Sequence, residues 1–188
     1  MNDKNEIKNW MEKYGELFLH NIGLKRGQSI LDYGCGEGHY TIPAAEVVEK
    51  DGMIYAFDKD KEALNSLRKA AEKYGKKNIK IIKGNTEIPM QNKNINVILC
   101  YDMLHYEKNR KAIYSESYRV LKNVGIFSVY PKHHRGDYPL MELAALELED
   151  IRREIEEYGF VLVKKVYKEL LHDNYFNRGW VLNFRKKS

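Results

Sequence analysis

The sequence predicts an α/β fold built on a mainly parallel sheet, and three observations carry that prediction. Short apolar, strand-like runs alternate with segments of helical spacing over most of the chain, the pattern of strands joined by crossover helices. The first of these runs, Ser29-Ile30-Leu31-Asp32-Tyr33, passes straight into a glycine-rich turn and then a helix. The last two runs are separated only by residues 171–179, a connection suited to a hairpin and so to an antiparallel end.

Element by element, Ile7, Trp10, Met11, Tyr14, Leu17 and Phe18 recur at helical spacing, predicting an amphipathic helix over residues 5–20. The strand 29–33 is followed by a helix over about 40–50 and a turn at Asp51-Gly52. A second strand, Met53-Ile54-Tyr55-Ala56-Phe57, ends at Asp58, and a helix from 61 to about 74 stops at Gly75. Strands at 79–83 and 95–100, a helix at 110–121, a turn at Asn123-Val124-Gly125 and a strand at 126–130 follow. Residues 131–139 hold two prolines, a glycine and several charges, and read as a loop. A long helix is expected over 140–158, stopped by Gly159, and two final strands over 160–170 and 180–185.

At 188 residues the chain suits one domain, 1–188, with 1–22 as an N-terminal helix placed to act as a cofactor lid. A hydrophobic fraction of 43% with 31% charged residues belongs to a globular protein rather than a disordered one. No apolar run approaches the ~20 residues of a membrane span. The start of the chain lacks an apolar signal core. Two distant cysteines, Cys35 and Cys100, make neither a disulfide framework nor a metal cluster. From these a cytoplasmic location is expected. The net charge of +5 is compatible with nucleic acid, but lysines and arginines alternate with acids along the chain, so a solvated surface is the favoured reading.

The turn Gly34-Cys35-Gly36-Glu37-Gly38 has glycines at alternate positions, which permit positive φ and close approach of a ligand. A turn that merely packs helix on strand would look similar. The dinucleotide fingerprint, however, needs glycine where this chain has His39. Asp32, two residues before the first glycine, would repel a pyrophosphate and suit a cofactor bearing a sulfonium and an amino group. Asp58, ending the second strand, is placed to accept hydrogen bonds from both hydroxyls of a ribose.

These residues resemble the class I S-adenosylmethionine-dependent methyltransferases, especially their small-molecule "type 11" branch. The resemblance runs in order from Ile30 to Gly159. Ile30-Leu31-Asp32-Tyr33-Gly34-Cys35-Gly36-Glu37-Gly38 is similar to the family's first motif, and Phe57-Asp58-Lys59-Asp60 to its ribose-holding motif. Gly84-Asn85-Thr86-Glu87-Ile88-Pro89 stands at the adenine-contacting segment, with Asn85 in place of the usual aspartate. The stretch from Val97 to Tyr106 resembles the fourth-strand segment, and Arg119-Val120-Leu121-Lys122-Asn123-Val124-Gly125 the turn before the fifth strand. The resemblance implies a Rossmann-like, doubly wound, seven-stranded mostly parallel sheet with an antiparallel last strand. It implies S-adenosylmethionine as cofactor and S-adenosylhomocysteine as product. The cofactor-binding residues it implies are Asp32, Gly34, Cys35, Gly36, Gly38, Asp58, Lys59, Asn85, Thr86 and Tyr101.

Methyl transfer from a sulfonium needs orientation and a dry site, and a general base only where the acceptor must lose a proton. His105, His133 and His134 are the candidate catalytic residues. For His105 a packing role is favoured over a catalytic one, and adjacent histidines on a loop are as often solvated as functional. No third ligand emerges from their spacing, so no metal site is expected. Tyr101, Asp102, Tyr130 and Tyr138 are placed to line an acceptor site, and Tyr14 and Phe18 either close over the cofactor or pack the core. A small-molecule acceptor is expected. Nucleic acid is disfavoured, because Tyr101-Asp102-Met103-Leu104 stands where amino-directed DNA methyltransferases carry their Pro-Pro motif. The alternatives are a non-catalytic cofactor-binding scaffold, an RNA or protein methyltransferase, and a nicotinamide-dependent oxidoreductase. The oxidoreductase is opposed by the glycine spacing.

Overall fold

The computed structural model describes residues 3–187. Met1, Asn2 and Ser188, the ends of the domain expected from sequence, lie outside the described residues. Seven strands are present: β1 (Ser29–Tyr33), β2 (Met53–Asp58), β3 (Ile79–Lys83), β4 (Ile95–Tyr101), β5 (Leu121–Tyr130), β6 (Phe160–His172) and β7 (Tyr175–Lys186). They form one sheet in the order β3-β2-β1-β4-β5-β7-β6. β1 pairs with β2, β2 with β3 and β4 with β5 in parallel, while β7 runs antiparallel to β5. The fold class predicted from the sequence is therefore the one observed, with the last strand of the chain set between β5 and β6.

The α-helices are α1 (Asp3–Asn9), α2 (Gly15–Ile22), α3 (Thr41–Val48), α4 (Lys61–Lys73), α5 (Arg110–Val120) and α6 (Leu148–Glu156). Two compact units are distinguished. The first comprises the described residues to Asn85 together with Leu170–Asn177, and the second comprises Thr86–Glu169 and the chain from Arg178 onward.

In the first unit β1 is buried along nearly its whole length, as a strand covered on both faces must be. Ile30, Leu31, Ile54, Ala56 and Phe57 form its core with Ile42 and Val48 of α3 and Leu64 and Leu67 of α4. The α4 helix starts where the Asp60 side chain accepts hydrogen bonds from the amides of Glu62 (2.7 Å) and Ala63 (3.2 Å). The opening helix predicted over 5–20 is interrupted: a π-helical turn, Trp10–Tyr14, joins α1 to α2. Trp10 and Phe18 are buried, whereas Tyr14 is half exposed.

The second unit departs from expectation in three places. The turn expected at Asn123-Val124-Gly125 lies within β5, where the pairing register with β4 shifts between Ile95 and Val97. This is an irregularity that an alternation count cannot see. The long helix expected over 140–158 is only α6, preceded by a 3₁₀ turn at Met141–Leu143. Tyr138 and Met141 take left-handed φ values of 43° and 52°, which no continuous α-helix can include. Glu147 is extended, with its amide bonded to the Asp150 carboxylate at 2.9 Å, and this cap sets the start of α6. The final strands are longer than predicted, leaving only Asp173 and Asn174 between β6 and β7. β6 is the last strand in the sheet order and carries Lys164, Lys165 and Lys168 on an exposed stretch, charges that discourage edge-to-edge pairing.

Candidate functional site

The glycine-rich turn leaves β1 in the first unit. Gly34, Gly36 and Gly38 all take positive φ, at 80°, 51° and 95°. The Phe57 carbonyl of β2 accepts from the amides of Gly34 (2.9 Å) and Cys35 (3.2 Å), so the turn is tied to the neighbouring strand. A Cβ on Gly38 would overlap Cδ1 of buried Leu67, which makes this glycine a packing requirement. A Cβ on Gly36 would meet nothing within 4 Å. Space is therefore open beside this residue where a Cβ would stand.

Asp58 completes this arrangement. Its Oδ2 accepts from the Gly36 amide at 2.8 Å and its Oδ1 from the Asp60 amide at 2.9 Å. A carboxylate offers about four lone-pair positions. One on each oxygen is used by the backbone, and one on each remains, which is the acceptor pair that a ribose diol requires.

Asp32 lies beneath the turn, 2% exposed, with its Oδ2 accepting from the Thr41 hydroxyl at 2.5 Å. Burial pushes its pKa up to about 7; the Thr41 hydrogen bond opposes this and the charge of Asp58 adds to it. Two carboxylates beside one turn suit a cationic ligand and reject a pyrophosphate. Burial likewise pushes the Cys35 thiol well up, so it is held as a neutral thiol in the turn. Lys59 and Asn85 lie on the surface of this unit. The indole N–H of Trp10 donates to the His39 carbonyl at 2.8 Å, fastening the opening helix to the residue that follows the glycines.

In the second unit Thr86 is half-buried, and Tyr101 is buried with its hydroxyl 2.6 Å from that of Ser128 on β5. Arg119 has a role that motif reading did not supply. Its guanidinium donates to the carbonyls of Ile88 (2.8 Å) and Met90 (2.6 Å) and to the Asn92 side chain (3.0 Å), and Glu116 holds it in place. It thus clamps the segment after Gly84-Asn85-Thr86-Glu87. Arg119→Ala is expected to cost about 2 kcal/mol by leaving two carbonyls without a charged donor, as measured by urea unfolding.

The three candidate histidines are all buried: His105 is 2%, His133 7% and His134 6% exposed. The loop that carries two of them is anchored by Lys132, itself buried, through an ion pair with Asp137 at 2.5 Å. The solvated loop that adjacent histidines bring to mind is therefore not what is found. His134 Nδ1 accepts from the Gly136 amide at 3.2 Å, and burial lowers its pKa, so it is a neutral ring engaged with its own loop. His105 and His133 stack edge to face with centroids 4.5 Å apart, and Nδ1 of His105 lies 4.0 Å from Asp102 Oδ1. Tyr130 is buried, while Tyr138 is largely exposed.

Comparison with known proteins agrees with this geometry. Residues 24–174 match the family model described as "Methyltransferase domain". The chain therefore belongs to the class I S-adenosylmethionine-dependent methyltransferase family. Over 80 residues it is 40% identical to a protein of Saccharolobus solfataricus named "Probable cobalt-precorrin-6B C(15)-methyltransferase (decarboxylating)", covering 42% of this chain and 40% of that one. Over 174 residues it is 29% identical to "Sterol 24-C-methyltransferase ERG6B" of Gibberella zeae, covering 85% and 44% of the two chains. The chain thus spans about two fifths of the length of these curated relatives. Among solved structures, an S-adenosylmethionine-dependent methyltransferase from Aquifex aeolicus superimposes with a TM-score of 0.75 at 20% identity, covering 99% of this chain and 98% of that one. At that identity the likeness is one of fold. Among the described residues no helix is long and apolar enough to cross a membrane.

Proposed function

We propose that this protein transfers the methyl group of S-adenosylmethionine to a small-molecule acceptor by in-line displacement, as one methyltransferase domain. The observation that carries this reading is the Asp58 carboxylate, bonded to the Gly36 amide beside open space with one acceptor position left on each oxygen. Bound S-adenosylmethionine supplies an electrophilic methyl group on a sulfonium, whose charge is dispersed as the methyl moves. The chain's own residues orient and bind. Asp58 would take the ribose hydroxyls, Gly36 would admit the ligand against the backbone, and buried Asp32 would supply negative potential from below the turn. Asn85 would take the adenine, and the opening helix fastened by Trp10 would cover the turn. A displacement of this kind draws its acceleration from alignment and exclusion of water, so it requires no fixed catalytic side chain.

Small acceptors are supported by the relatives, which are named for methylation of cobalt-precorrin-6B and of a sterol. A cytoplasmic location is supported by the two cysteines, both buried and with no disulfide found among the described residues.

Calorimetric titration with S-adenosylmethionine tests the donor site. Asp58→Ala is expected to weaken binding by at least about 100-fold, the scale of losing two charge-assisted hydrogen bonds. Unchanged affinity in a folded Asp58→Ala variant would remove the assignment. Appearance of S-adenosylhomocysteine with a metabolite panel tests the transfer itself.

A further inference from the structure

We propose that Asp102, His105 and His133 form a binding site for a first-row divalent metal ion, one per chain, with zinc as the reference ion. One ligand atom from each residue lies within 4.8 Å of the others. The residues come from two separate stretches just beyond β4 and β5, which is why sequence spacing did not bring them together. Two imidazoles and one carboxylate are a donor set that borderline ions such as zinc, iron(II) and manganese(II) share, and three protein ligands leave coordination positions open.

The orientation of His133 supports the assignment. Its Nδ1 lies 3.0 Å from the Tyr138 carbonyl. A carbonyl only accepts, so in the neutral ring Nδ1 carries the proton and Nε2 keeps its lone pair. A ligating histidine whose second nitrogen donates to a carbonyl is the arrangement that fixes tautomer and ring angle in metal sites. Asp102 and His133 both take left-handed φ, at 57° and 67°, an unfavourable state for non-glycine residues that persists where surrounding structure demands it. Burial adds to this: His105 and His133 are 2% and 7% exposed, and the Asp102 side chain 14%. The ammonium of Lys132, next to His133, is neutralised by Asp137 at 2.5 Å and does not oppose a cation with an unbalanced charge. A bound ion would draw the 4.0 Å separation of His105 Nδ1 and Asp102 Oδ1 down toward that of ligands sharing one metal.

Metal binding goes beyond the methyl-transfer reading and does not depend on it.

The test uses the full chain, with any affinity tag removed and after treatment with a chelator. Zn²⁺ is titrated calorimetrically, and Co²⁺ is followed by its visible absorption. The expected result is one ion per chain, with affinity weakened at least about 100-fold by His105→Ala or His133→Ala, more than is typical for loss of an outer-shell partner. His134→Ala is expected to leave affinity within about twofold, because His134 is engaged with its own loop. Circular dichroism establishes folding. Should an alanine variant fail to fold, His133→Gln and Asp102→Asn decide the matter, the latter keeping a residue that accepts left-handed backbone. No stoichiometric binding by the wild type, or wild-type affinity in the folded ligand variants, or equal loss in His134→Ala, overturns the site. Methyl transfer without metal binding, or the reverse, separates the two proposals.

Discussion

Gly36→Ala is expected to yield a folded protein that no longer binds S-adenosylmethionine usefully, whereas Gly38→Ala is expected to lose stability first. At Gly36 an added Cβ meets nothing within 4 Å, so the cost to the fold is the left-handed φ of 51°, about 1 kcal/mol. In the proposed donor site the same methyl group would occupy space the ligand needs. A clash of about 2 kcal/mol would weaken binding roughly 30-fold. At Gly38 an added Cβ overlaps Leu67, which is fully buried and has little room to move, and φ is 95°. Overpacking and strain together cost about 2–4 kcal/mol. Paired calorimetry and urea unfolding check both. If Gly36→Ala bound as the wild type does, the ligand would have to lie away from that face of the turn.

The second large effect is a pH dependence centred on Asp32. Its pKa is raised from 3.8 to about 7 in the folded chain, chiefly by burial. The folded state therefore holds more protons than the unfolded one between these values. The stabilising contribution of this group is fully present below the unfolded pKa and is lost as pH rises through about 7. At roughly 1.4 kcal/mol per unit, the loss is on the order of 4 kcal/mol. Ligand binding has the opposite sign. A cationic ligand prefers the carboxylate, so below about 7 binding must expel a proton and affinity should fall up to about tenfold per pH unit. Asp32→Asn is expected to flatten this slope, to weaken binding above pH 7 by about tenfold, and to raise the melting temperature of the ligand-free protein there. Titrations at pH 6, 7 and 8 read the slope. A variant with the wild-type slope would assign it to another group.

The parts of the fold that sequence made legible are those dominated by local patterning. β1 and β4 are nearly continuous buried runs, β2 is a short apolar run ending at Asp58, and α4 has an Asp60 cap and a clear apolar stripe, so the sequence marks each close to its true limits. Before α6, the spacing of Leu140, Leu143, Leu146 and Ile151 mimics a helix, whereas Tyr138 and Met141 take left-handed φ, which spacing cannot express. β6 and β7 were cut short because their middle and tip residues are mixed polar and apolar, and cross-strand pairing rather than alternation keeps them extended. In the site, the glycines and Asp58 were visible because backbone geometry restricts which residues serve there. Thr41 under Asp32, Arg119 on the Ile88 and Met90 carbonyls, and the meeting of Asp102 with His105 and His133 were not. Each depends on contacts across elements and leaves no mark at a fixed sequence interval.

The tip of the β6–β7 hairpin, Leu170–Asn177, belongs with the first unit although more than eighty residues of chain intervene. The Tyr40 hydroxyl donates to the Leu171 carbonyl at 2.8 Å, across 131 positions, and the Trp10 ring meets Phe176 edge-on at 5.8 Å. On the ribosome, then, the half that carries the glycine turn is begun first but is not complete until the hairpin tip, 170–177, has been made. Its aromatic cluster stays incomplete until Phe176 has left the exit tunnel, by which point most of the second unit has already been translated.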